Sequence, residues 1–262
     1  MRLTVDGHPV FAATGGKPFD PALPAVVFIH GAGMDHTVWA LQARWFAHHG
    51  RAVLAVDLPG HGASEGPPLR SIESMADWTV RLLDAAGVRK AALVGHSMGG
   101  LVALEAATRH PGRVRAIGLV GTAAAAPVSA DLLAAAEAND HRAVDMVAVW
   151  GFGPRAGLGG SPVPGLWMLG DGVRLLERSA PGVLHADLAA CDAYKGGLDA
   201  AGRARCPAAL VLGEKDQMTP AKAGRALGAA IMGAVTQVVP KAGHMLMVEA
   251  PEDVLDGLRA VV

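Results

Sequence analysis

The chain carries Gly95-His96-Ser97-Met98-Gly99 immediately after the apolar run 91–94. A serine with glycine two positions away on either side, between two apolar segments, fits a sharp turn from strand to helix. The turn drives the serine toward φ > 0, which crowds the positions two residues before and after it, so that only glycine fits there. It also lifts the hydroxyl to the start of a helix, where backbone N–H groups can stabilise an anion. A serine hydroxyl is a weak nucleophile alone. It needs a base to take its proton and an acid to orient that base. Asp216 follows the apolar run 208–212, and His244 follows the run 235–239. Of the eleven histidines, His244 is singled out by that position. Glu214, nearer the same run, is the alternative acid. Two N–H groups must face the oxygen that becomes charged. Met98 is expected to supply one. The loop His30-Gly31-Ala32-Gly33 is expected to supply the other, from Ala32, with Gly31 or Gly33 as alternatives.

Positioning these groups requires a parallel sheet. Short apolar runs at 26–29, 52–56, 91–94, 116–120, 208–212 and 235–239 read as buried strands. They alternate with helical patterns near 38–48, 71–86, 98–109, 220–230 and 251–262. That rhythm predicts an α/β fold with a mostly parallel central sheet and helices on both faces. Segments 2–5 and 9–13 predict a leading hairpin about Asp6-Gly7. Ser97, Asp216 and His244 then all fall at C-terminal strand ends, which share one edge.

The rhythm breaks between the fourth and fifth of the six buried runs. Residues 127–205 hold helical patterns near 129–150 and 171–194 but no clear strand, and the Gly- and Pro-rich stretch 151–165 separates them. The chain is accordingly expected to divide into a core (1–126), a helical cap or lid (127–205) and the rest of the core (206–262). The substrate pocket is expected to draw on Gly31, His96 and Met245, and on Trp150, Phe152, Trp167, Met168 and Tyr194 of the insertion. Some of these must face inward, because a cap over a serine site needs an apolar inner surface.

Other chemistries are weaker. Gly31-Ala32-Gly33 imitates a dinucleotide-binding turn, but the third glycine position is His36. His48 and His49 are adjacent and cannot share a helical face, and no His-x-x-x-His or Cys-x-x-Cys spacing occurs, so no metal and no cofactor are expected. A net charge of −1 leaves no footprint for nucleic acid. No apolar stretch is long enough for a membrane span, and two cysteines fit a reducing cytoplasm.

Five segments resemble the α/β-hydrolase superfamily, in its cap-bearing serine esterase-like group. They are His30-Gly31-Ala32-Gly33, Asp57-Leu58-Pro59-Gly60-His61-Gly62-Ala63-Ser64, Gly95 to Gly100, Gly213 to Asp216, and Gly243-His244. The resemblance implies the α/β-hydrolase fold, with Ser97 as nucleophile, His244 as base, Asp216 as acid, and a structural loop at Asp57 to Ser64. It implies hydrolysis of a small or medium carboxylic ester through an acyl-enzyme. C–C bond hydrolysis, thioester cleavage or acyl transfer by the same triad are alternatives, as is a ligand receptor with little turnover. The partner expected is a small-molecule acyl substrate.

Overall fold

A computed structural model describes residues 1–157, 159–161 and 165–262. Eight strands form one sheet: β1 (Arg2–Val5), β2 (His8–Ala13), β3 (Ala25–Ile29), β4 (Ala52–Val56), β5 (Ala91–His96), β6 (Val114–Val120), β7 (Ala208–Gly213) and β8 (Val235–Val239). Their order is β1-β2-β4-β3-β5-β6-β7-β8. The hairpin β1–β2 and the β2–β4 pair are antiparallel; the remaining pairs are parallel. This is the mostly parallel sheet that the apolar runs predict. Its central strands are covered on both faces, and every residue of β3, β4, β5 and β7 is buried. Edge strand β8 is partly open to solvent.

Helices Ala40–His48, Ile72–Ala85, Met98–Arg109, Ala221–Ala230 and Pro251–Arg259 flank the sheet, close to the predicted positions. The first begins as a 3-10 turn, His36–Trp39, because the Asp35 side chain accepts from the Thr37 N–H. Burial joins the elements into two apolar clusters, one on each side of the sheet.

Between β6 and β7 lie helices Ala130–Glu137, His141–Gly151, Met168–Glu177, Val183–Ala193 and Gly197–Arg203. The Gly- and Pro-rich stretch contains a 3-10 turn, Pro154–Ala156. The predicted helix near 171–194 is two helices, parted by Gly182 in the left-handed region at φ +81°. The last of the five packs on Met98–Arg109 and Ala221–Ala230, beside the sheet. Among the described residues, no helix is long and apolar enough to cross a membrane.

Candidate active site

Ser97 occupies the turn between β5 and the helix Met98–Arg109, with φ +53° and ψ −115°. That conformation is costly for a residue with a Cβ and is held by its surroundings. The Ser97 N–H donates to the Val120 carbonyl at 2.9 Å. A Cβ at Gly95 would lie 1.9 Å from the Gly99 oxygen, and one at Gly99 would lie 2.3 Å from the Ile29 oxygen. Both glycines are therefore demanded by backbone approach.

Asp216 and His244 meet at the same sheet edge. His244 Nδ1 lies 2.8 Å from Asp216 Oδ2, with both side chains buried. Facing a carboxylate, Nδ1 carries the proton, which leaves Nε2 as an acceptor. Asp216 is fixed in turn: its Oδ1 accepts from the Met218 N–H at 2.9 Å and the Thr219 N–H at 2.8 Å. The Thr219 hydroxyl lies 2.8 Å from Asp216 Oδ2 and 2.8 Å from the Gly121 carbonyl. Glu214 is exposed and accepts from the Lys241 N–H at 2.9 Å, away from His244. Three successive N–H groups of the loop bearing His244 are engaged. The His244 and Met245 N–H groups donate to the Gly151 carbonyl at 2.8 and 3.0 Å. The Gly243 N–H donates to Glu249 Oε2 at 3.0 Å, and the same oxygen accepts from the Gly153 N–H at 3.0 Å. Burial raises the Glu249 pKa, against the two N–H groups that lower it.

Two buried histidines brace the surroundings. His30 Nδ1 faces the Gly31 carbonyl at 2.8 Å, and its Nε2 accepts from the Leu58 N–H at 3.2 Å. This fixes a neutral Nδ1–H tautomer. Burial, with the His61 charge adding to it, lowers the His30 pKa to about 4. His96 Nε2 faces the His244 carbonyl at 3.0 Å, and burial holds the His96 pKa well below the ordinary value.

Ser97 and His244 line a cavity of about 30 Å³ with Ala32, Phe152 and Met245. Its remaining wall is mostly aliphatic, including Val147, Leu175, Leu176, Leu184 and Leu188. Among the described residues, no hydrogen bond uses the N–H of Ala32 or Met98. The Gly33 N–H is engaged by Asp187 Oδ2 at 2.8 Å, so it is not free to face the cavity.

Of the pocket residues expected from sequence, Phe152 and Met245 line the cavity, and the others do not. Gly31 and His96 pack against each other, a Cβ at Gly31 falling 2.7 Å from His96 Nδ1. Trp150 packs into the apolar cluster on its side of the sheet. Trp167 is 51% exposed and covers Gly170. Met168 lines an adjoining surface groove. Tyr194 is buried behind the site, where its hydroxyl donates to Glu105 Oε2 at 2.7 Å.

One cluster among the described residues has metal-ligand spacing: Asp35, His36 and Asp57, with ligand atoms within 4.8 Å of one another. These atoms already have partners. Asp57 accepts from the His36 N–H, from His36 Nδ1 and from the Ala63 N–H, and Asp35 caps a helix and pairs with Arg178 at 2.9 Å. The cluster knits the loop 57–64 to the core.

The chain belongs to the alpha/beta hydrolase family, whose profile matches residues 26–256. It is 32% identical over 254 residues to a pimeloyl-[acyl-carrier protein] methyl ester esterase of Chromobacterium violaceum, covering 90% of this chain and 92% of the relative. Among solved structures it is similar to an enol-lactonase from Burkholderia xenovorans, with TM-score 0.88, 24% identity and coverage of 99% and 98% of the two chains. A thermophilic esterase superposes with TM-score 0.80 at 28% identity, over 99% and 95% of the chains.

Proposed function

We propose that the protein is a serine esterase acting on a small or medium carboxylic ester with an uncharged acyl chain. The observation that carries this reading is the Asp216–His244 pair at 2.8 Å beside an apolar cavity that Ser97 and His244 both line. Membership in a family with ester-cleaving relatives supports it.

In this reading His244 Nε2 takes the Ser97 proton as the oxygen attacks the ester carbonyl. The oxyanion is held by the Ala32 and Met98 N–H groups. His244 returns the proton to the departing alcohol as the C–O bond breaks, leaving an acyl-Ser97 intermediate. Water, deprotonated by His244, attacks that acyl group, and the acid leaves with Ser97 restored. Asp216 holds the imidazole orientation and offsets its transient positive charge. These residues and water suffice for the reaction. Within residues 127–205 the helices His141–Gly151, Met168–Glu177 and Val183–Ala193 act as the cap, whose aliphatic side chains select the acyl chain. A cavity of about 30 Å³ holds only a water or two, so leucine and methionine side chains must swing aside to admit substrate.

The test is hydrolysis of p-nitrophenyl esters of graded chain length by wild type and Ser97→Ala. Many turnovers, lost in Ser97→Ala with the fold intact, are expected. Turnover that survives in Ser97→Ala would overturn the mechanism. Absence of turnover on every ester in a folded wild type would move the reading to thioester or C–C cleavage, or to a receptor.

A further inference from the structure

We infer that Asp187, on the helix Val183–Ala193, is a positioning residue for the loop that presents the Ala32 N–H, and that a cationic His61 holds Asp187 in place. The inference rests on the serine esterase reading and adds to it a residue outside the triad.

Asp187 is fully buried, and one of its oxygens does two jobs. Oδ2 accepts from the Gly33 N–H at 2.8 Å and lies 2.8 Å from His61 Nε2. Gly33 follows Ala32 directly. Fixing the Gly33 N–H fixes the peptide plane on the C-terminal side of Ala32; the Ala32 N–H lies in the preceding plane, so only two torsions, φ and ψ of Ala32, separate it from that anchor. Gly33 sits in the left-handed region at φ +67°, and a Cβ there would meet Leu184 Cδ1 at 2.8 Å. The loop is thus both bonded to and packed against one helix, 154 residues away in sequence.

The protonation state follows from the partners. His61 Nδ1 lies 3.0 Å from the Pro59 carbonyl, while Nε2 faces the Asp187 carboxylate. Both neighbours are acceptors, so both ring nitrogens must carry hydrogen for both bonds to form. A neutral His61 would set a lone pair against a lone pair inside the protein. Burial opposes the charge, but Asp187, the Pro59 carbonyl and the more distant Asp57 outweigh it and raise the His61 pKa. The other ring against His61, His30 at 4.7 Å between centroids, is the neutral one. Asp187 and His61 therefore form a buried ion pair, and breaking such a pair is far more disruptive than its net contribution suggests.

The variants are Asp187→Ala and Asp187→Asn in the full chain, beside wild type. In Asp187→Ala, kcat for p-nitrophenyl butanoate is expected to fall at least tenfold with KM changed less than threefold. Affinity for a trifluoromethyl ketone of the same chain length should fall in step with kcat, because that inhibitor also forms an oxyanion. Asp187→Asn keeps an acceptor for Gly33 and should recover most of kcat. A purely structural role would lower the melting temperature of both variants and leave kcat and inhibitor affinity together unchanged, which would overturn the inference. Amide hydrogen exchange at Gly33 gives a readout independent of activity: protected in wild type and at least tenfold faster in Asp187→Ala. Unchanged exchange would overturn the bridge itself. A wild type with no ester turnover but a protected Gly33 would sink the esterase reading and the catalytic role built on it, while the bridge stood.

Discussion

His96 Nε2 donates to the main-chain carbonyl of His244 at 3.0 Å, and the two rings stand 4.6 Å apart between centroids. The residue before Ser97 thus holds the loop that carries His244. Burial and the nearby His244 both disfavour a charge on His96, so it serves as a neutral donor.

Replacing it should separate anchoring from bulk. In His96→Ala the bond and the packing both go, and kcat is expected to fall about 10- to 100-fold, since misplacing a reacting group by an ångström has effects of that size. His96→Gln can keep a donor and should retain more activity. Ester kinetics of the two variants, with circular dichroism to verify folding, check this. Equal activity in all three proteins would refute the anchoring role.

The glycines at the serine turn should differ sharply from glycines elsewhere. Gly95→Ala places a Cβ 1.9 Å from the Gly99 oxygen and should cost about 3 kcal/mol or more, enough to lower soluble yield. At Gly112 a Cβ meets nothing within 4 Å, and Gly112→Ala should shift stability by less than about 0.5 kcal/mol. Denaturant melts of the two variants decide it.

Chain-length preference should respond to Leu184, which lines the cavity and packs over Gly33. Leu184→Ala removes part of the cavity wall, and the acyl optimum is expected to move up by roughly two methylenes. A panel of p-nitrophenyl esters from acetate to decanoate measures it. An unmoved optimum would place the acyl chain elsewhere.

Acid should destabilise the fold in part through His30. Its folded pKa, about 4, lies below the ordinary 6.5. As pH falls below 6.5 the unfolded chain takes up the proton first, so stability is lost from there down to about 4, by about 3 kcal/mol from this group. Melting temperature against pH should fall less steeply over that window in His30→Asn than in wild type. Parallel curves would show that His30 is not the cause.

The sheet was readable because a buried parallel strand has no polar face: the runs at 26–29, 52–56 and 91–94 correspond to β3, β4 and β5. The placement of Ser97, Asp216 and His244 at one sheet edge was readable because each follows such a run, and strand ends in a parallel sheet converge. The pocket wall was not. A leucine such as Leu175 or Leu188 looks the same in sequence whether it faces a cavity or a neighbouring helix. Of the aromatic residues expected there, Phe152 lines the cavity, while Trp150, Trp167 and Tyr194 lie elsewhere: Tyr194 is drawn to Glu105, 89 residues away, which no local pattern encodes. Asp187 was silent for a similar reason. A single acid in a largely apolar helix carries no motif, and its partners Gly33 and His61 lie more than a hundred residues upstream.

The junction at Gly151 and Gly153 bears on how such a fold could be recombined. Gly151 accepts from His244 and Met245, and Gly153 shares the Glu249 carboxylate with Gly243. These residues belong by sequence to the inserted stretch and by bonding to the C-terminal part of the core. A graft that exchanged all of 127–205 with that of another family member would replace the scaffold under His244 along with the cavity wall. A chimaera that keeps 151–153 with its own 243–249, and swaps only what lies between Met168 and Ala193, would change the wall and leave that scaffold native.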